Sequence, residues 1–175
     1  MATMTRTIVV ILTIFSLTSS FGQTKITPRQ DLELTEKNLK RLFSLKPDMC
    51  CPAPLPEWTA CYNTDSTYAT TDTVKLYSDM YYYLTTQCCY VTSWTFSNST
   101  TFGLSETKVC QEPPLSSVSS DNSDLKIKFD KKAENLVMST YKKGKLKDKF
   151  ILLFLENFEM KSGKQGYKLT MVRMP

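Results

Sequence analysis

The chain is 175 residues long, with 22 basic and 17 acidic side chains (formal net charge +5), six cysteines and no histidine. Without histidine there is no Ser-His-Asp or Cys-His nucleophile, no imidazole acid–base catalysis and no H-E-x-x-H metal site. No P-loop, G-x-S-x-G or G-x-G-x-x-G motif is present either, and carboxylates such as Glu156 and Glu159 stand without an evident catalytic partner, so the expectation is a non-enzyme with no cofactor.

The N-terminus sets the compartment. A short basic region at Thr5-Arg6 precedes the run IVVILTIF (Ile8 to Phe15), and Ser20 and Gly22 place small residues before Gln23. This is the pattern of a cleaved secretory leader over residues 1–22. The run is far short of the ~20 apolar residues that cross a bilayer. Residues 23–175 are therefore expected as a single secreted, extracellular domain with no transmembrane segment.

In an oxidising compartment six cysteines imply disulfides. Cys50, Cys51, Cys61, Cys88, Cys89 and Cys110 all lie within one stretch, and no C-x-x-C pair suggests zinc. Neighbouring cysteines close too short a ring to bridge easily. The preferred pairing joins Cys50/Cys51 to Cys88/Cys89 and closes Cys61 to Cys110, although spacing alone leaves the connectivity open.

In chain order, Leu32, Leu39, Leu42, Phe43 and Leu45 recur at helical spacing between charged residues, which predicts an amphipathic helix over residues 29–45 ended by Pro47. Pro52, Pro54 and Pro56 hold an extended connector. A strand starts at Glu57 and carries Trp58; residues 62–73 are polar loop. Val74, Tyr77, Tyr81, Leu84 and Cys88 recur at steps of three and four, which favours a helix over residues 73–84 against the β propensity of Tyr81-Tyr82-Tyr83. Tyr90, Thr92, Trp94 and Phe96 alternate with Val91, Ser93 and Thr95 as a strand with one aromatic face. Asn98-Ser99-Thr100 is a glycosylation acceptor at a surface turn, and residues 101–110 return as the second arm of a hairpin.

Residues 111–124 hold two prolines and five serines and read as a flexible connection. The charge changes sign across it. Residues 47–124 carry 2 basic and 9 acidic side chains, a net −7, whereas residues 125–175 carry 13 basic and 5 acidic, a net +8. Beyond it, Leu125, Ile127 and Phe129 alternate with polar residues, residues 136–141 return, and Lys142-Lys143-Gly144-Lys145 turns again. Phe150 to Leu155 is an unbroken apolar run, the most buried strand on this reading. A turn at residues 161–166 leads to a closing strand through Tyr167, Leu169 and Met171. Four strands on short turns predict one sheet.

The fold expected is mainly β, an antiparallel barrel or two-sheet sandwich with one short N-terminal helix, stapled by disulfides. A leader, a short helix, cystine-bearing strands and a β-meander resemble the layout of lipocalin-type carrier barrels. Of that family's G-x-W near the first strand, only the tryptophan of Pro56-Glu57-Trp58 has a counterpart. The resemblance implies a small apolar ligand in the barrel mouth. Two readings of function follow. In the first the protein is a small-ligand or lipid carrier whose cavity is lined by Trp58, Tyr90, Trp94, Phe96 and the 150–155 strand. In the second it is an extracellular interaction protein, such as a protease inhibitor or receptor-binding modulator, acting through its loops and a basic face. Lys142, Lys143, Lys145, Lys147 and Lys149 cluster about one turn and form the candidate patch for a polyanion; nothing points to nucleic acid.

Overall fold

A computed structural model describes residues 32–46, 55–63, 67–78, 88–110, 114–117, 122–159 and 163–175. The expected leader, Cys50 and Cys51 lie outside them. Among the described residues the order is one helix, α1 (Glu36–Phe43), then nine strands: β1 (Glu57–Tyr62), β2 (Thr73–Ser78), β3 (Tyr90–Asn98), β4 (Thr101–Lys108), β5 (Leu115–Ser117), β6 (Leu125–Lys132), β7 (Asn135–Lys142), β8 (Lys145–Glu159) and β9 (Gln165–Arg173). All pairings are antiparallel.

The strands close into an eight-stranded barrel in the order β3-β1-β2-β9-β8-β7-β6-β4, with β4 returning to β3 and β5 added on β4. The meander from β6 to β9 matches the alternation in the sequence. Between β7 and β8 the turn residues Lys143 and Gly144 both have positive φ, 49° and 81°, the conformation of a two-residue turn whose twist suits a hairpin. The up-and-down order fails at one place: β1 sits between β2 and β3.

Helix α1 is shorter than its apolar spacing suggests. Thr35 caps it by accepting from the Asn38 amide at 3.2 Å, and the residues before the cap are not helical, with the Leu32 amide donating to the Leu155 carbonyl at 3.0 Å. Leu32 spends its backbone on a strand edge and not on a helical turn. Leu39, Leu42 and Phe43 are buried and close one end of the barrel, here named the helix end.

Residues 73–78 form β2, not the helix that their spacing favoured, while 79–84 lie outside the described residues. The reason is tertiary. Val74 and Leu76 face inward at strand period and register with Met171 and Leu169 on β9, so packing outweighs a 3.6-residue pattern whose other members lie further along. Within the expected flexible connection, Leu115–Ser117 pairs with β4 from Lys108 to Glu106.

The run from Phe150 to Leu155 is not uniformly buried. A register shift between Leu152 and Phe154 inserts Leu153, so Phe150, Leu152 and Leu155 point inward while Leu153 and Phe154 are 40% and 56% exposed. A β-bulge adds one residue and re-aims those beside it. The cystines also differ from the preferred pairing. Cys61 joins Cys88, with Cα atoms 5.4 Å apart, and Cys89 joins Cys110, at 4.7 Å. The adjacent cysteines at the start of β3 thus tie it to β1 on one side and to the end of β4 on the other.

Two outcomes are expected from chemical denaturation. Leu152→Ala empties a buried site and should cost about 2–5 kcal/mol, whereas Leu153→Ala should stay within about 1 kcal/mol. Replacing both Cys61 and Cys88 by Ser should cost about 2–5 kcal/mol; a reversed order for the leucines would remove the bulge from the account.

Candidate functional site

The barrel interior is built around aromatic side chains at inward positions. From the helix end, Phe43 stacks on Phe96 with ring centroids 4.3 Å apart and meets Trp58 edge-on at 5.3 Å. Phe96 lies 5.5 Å from Phe102, and Phe102 stacks on Trp94 at 4.3 Å. Trp94 also meets Phe150 at 6.2 Å and Tyr68 at 6.3 Å. Of the residues expected to line a cavity, Trp58, Trp94 and Phe96 are at most 1% exposed. They form a packed floor, and half-buried Tyr90 packs against this core from the rim, with the Lys108 ammonium 5.7 Å above its ring.

Above Trp94 the inner wall turns polar. On β3, Thr92 occupies the inward position next to Trp94. It faces Ala60 on β1 and Glu106 on β4. Tyr62 faces Tyr90 and is therefore the diagonal neighbour of Thr92. The Tyr62 hydroxyl, Thr92 Oγ1 and Trp94 Nε1 are all buried without a hydrogen-bond partner among the described residues. Each such group costs about 1–3 kcal/mol relative to a satisfied one, and three on one wall form a polar patch above an apolar floor.

An ion pair and a tyrosine cover this end of the barrel. Arg173 on β9 pairs with Asp148 on β8. Its guanidinium carbon lies 4.6 Å from the Tyr68 ring centroid and 5.3 Å from that of Phe150, and Nη2 donates to the Tyr68 carbonyl at 2.8 Å. The Tyr68 hydroxyl donates to Asp148 Oδ2 at 3.4 Å, and Thr140 Oγ1 accepts from the Asp148 amide at 3.1 Å. Tyr68 belongs to the β1–β2 connection, so a loop side chain closes the end opposite α1.

Burial pushes both tyrosine hydroxyls above their ordinary value. At Tyr62 burial is opposed by Arg173 and helped by Glu106; at Tyr68 burial is helped by Asp148 and opposed by Arg173.

None of Tyr62, Tyr68, Glu106, Asp148 or Arg173 was singled out by the sequence. Two signals carry them. Thr92 is the polar member of the inward phase of Trp94 and Phe96, and Arg173 extends the inward phase of Leu169 and Met171. The basic cluster lies where the sequence puts it, on the β7–β8 hairpin, with Lys143, Lys145 and Lys147 exposed. It is partly engaged, because the ammonium groups of Lys142 and Lys147 donate to Ser123 and Asn122. Among the described residues no group of three or more His, Cys, Asp or Glu side chains is placed to hold a metal ion, and no helix is long and apolar enough to cross a membrane.

The raised tyrosines predict the alkaline limb of stability. The folded state keeps two protons that the unfolded chain releases near pH 10, so their contribution is fully present below pH 10. It is lost as pH rises through the folded values. Stability from denaturant titrations should fall above pH 10 by about 1.4 kcal/mol per pH unit for each tyrosine, and Tyr62→Phe or Tyr68→Phe should flatten the slope; an unchanged slope in both variants would place the titration elsewhere.

No family model matches the chain, and neither a curated relative nor a solved structure matches it.

Proposed function

We propose that the protein is a secreted, non-catalytic carrier that holds a small, largely apolar ligand inside the barrel, between the aromatic floor at Trp94 and the Tyr68–Arg173–Asp148 closure. The observation that carries this reading is the set of unpartnered polar atoms on one inner wall, Tyr62 Oη, Thr92 Oγ1 and Trp94 Nε1. Hydroxyls donate or accept, but an indole N–H only donates. The ligand therefore has an apolar or aromatic body and at least one hydrogen-bond acceptor. Pockets of this kind combine apolar walls with a few placed polar groups.

Secretion is supported by the leader pattern and by two cystines, which persist in oxidising compartments. The acceptor Asn98 is exposed beside the β3–β4 turn, and its Oδ1 accepts from both the amide (2.9 Å) and the hydroxyl (3.2 Å) of Thr100. A glycan there would stand outside the barrel wall, clear of the ligand.

Native mass spectrometry of the secreted protein, purified without added lipid, tests the proposal. The expected result is a co-purifying small apolar mass that is reduced in Thr92→Leu, which fills the polar end of the site. A bare mass, together with tryptophan fluorescence that does not respond to fatty acids or small aromatic acceptors, would leave the interior as a solid core and shift the function to the outer surface.

A further inference from the structure

The outer wall of β6, β7 and β8 carries two features that the carrier reading does not use. The first is apolar. The bulge turns Leu153 and Phe154 outward, and half-buried Ile151 lies further along the same face of β8, in register with half-buried Val172 on β9 and with Val137 on β7, which is itself covered. Exposed large apolar side chains are unremarkable singly, but a contiguous set marks a contact surface.

The second feature is a row of cations beside that set. Lys149 is the next outward residue of β8; it registers with Ser139 on β7, and Ser139 with Lys128 on β6. Lys132 comes within hydrogen-bonding reach of Lys149 and lowers its proton affinity, against a smaller opposing effect of Asp130. Among acidic groups on this wall, Glu156 is matched by Lys168 at 2.9 Å, and Asp130 flanks the row through its register with Val137. The cations outnumber the acids, and two of them are held against their mutual repulsion.

Three partner chemistries can be weighed. A sulfated glycan would neutralise the lysines and leave Leu153 and Phe154 in water. A second copy of the chain, docking through the same patch about a two-fold axis, would cover the apolar residues but set like charges against each other. An anionic lipid surface meets both features, because apolar side chains enter the headgroup boundary while ammonium groups meet lipid phosphates.

We infer that the face formed by Ile151, Leu153, Phe154, Lys128, Lys132 and Lys149 docks the barrel on an anionic lipid surface. Each lysine near such a surface strengthens binding by roughly fivefold, and the attraction is screened within ~10 Å at 0.1 M salt. The inference stands apart from the interior site, so its failure would leave the carrier reading intact.

Sedimentation of the secreted protein with phosphatidylcholine vesicles, with and without phosphatidylserine, tests it. The protein should sediment only with the phosphatidylserine vesicles and be released as salt rises. Phe154→Ser with Leu153→Ser, and separately Lys128→Gln with Lys149→Gln, should each weaken binding about tenfold or more while the melting temperature stays near wild type. Absence from both pellets overturns the inference. Retention on heparin without vesicle binding would assign the lysines to a glycan, and a dimer abolished by Phe154→Ser without vesicle binding would assign the patch to a second copy; either result overturns it. A destabilised serine variant leaves the lysine pair, exposed Lys128 and half-exposed Lys149, as the deciding measurement.

Discussion

Trp94 is the side chain on which the barrel depends. It sits at 0% exposure and touches aromatic rings from three different parts of the chain: Phe102 on β4, Phe150 on β8, and Tyr68 from the β1–β2 connection. A closed sheet needs something to span it, and residues on opposite walls of an eight-stranded barrel meet only when large side chains fill the middle. Aromatic pairs contribute about 0.5–1.5 kcal/mol each beyond the area they bury, so one indole in several ring contacts holds β3, β4 and β8 in register across the interior. The stack continues through Phe96 to Phe43, which couples the helix to the same core.

The cystines act on a different part of the problem. Core packing fixes the inside of the barrel, while Cys61–Cys88 and Cys89–Cys110 fix the seam where β3 meets β1 and β4. Adjacent backbone bonds reinforce that seam: the Cys89 amide donates to the Tyr62 carbonyl at 2.9 Å, and the Val109 amide to the Cys89 carbonyl at 2.8 Å. β3 lies on the far side of β1 from β2, and that non-neighbouring step is the one the two bridges secure. In an entropic account they exclude unfolded conformations in which β3 has strayed from its partners.

The parts of this fold legible in the sequence are those with a local cause. The strands from Leu125 to Arg173 alternate in and out with short turns between them, and the aromatic face of β3 is stated by Trp94 and Phe96. The parts that were not legible have distant causes. A six-residue apolar run looks the same with or without an inserted residue, so the bulge at Leu153 has no local signature; it exists because β8 must stay in register with β9 on both sides of it. Helical spacing in Val74 and Tyr77 is overridden by two strand partners, β1 through Thr59 and β9 nearly one hundred residues away. Arg173, Asp148 and Tyr68 come together from across the chain, and no spacing rule joins them. The basic hairpin was legible as a cluster, but the row Lys128–Ser139–Lys149 appears only once three strands are laid side by side.

The two ends of the barrel are closed by different physics, and the difference decides which of them opens at lower cost. At the helix end, lifting α1 would return Leu39, Leu42 and Phe43 to water, at about 2 kcal/mol for each side chain. At the far end, the closure is Tyr68, the Arg173–Asp148 pair and their hydrogen bonds, and charged groups regain hydration when they part. Separating a buried ion pair recovers solvation that offsets much of the lost attraction, provided both partners reach water together. Truncating one of them is another matter: with Asp148 replaced by Asn, Arg173 would stay half-buried between Tyr68 and Phe150 without its counter-charge. The ion pair thus makes this end sensitive to loss of a single partner yet comparatively easy to hydrate as a unit. For the proposed carrier, that behaviour would suit an entrance over the polar wall of Tyr62 and Thr92 better than one beneath the helix.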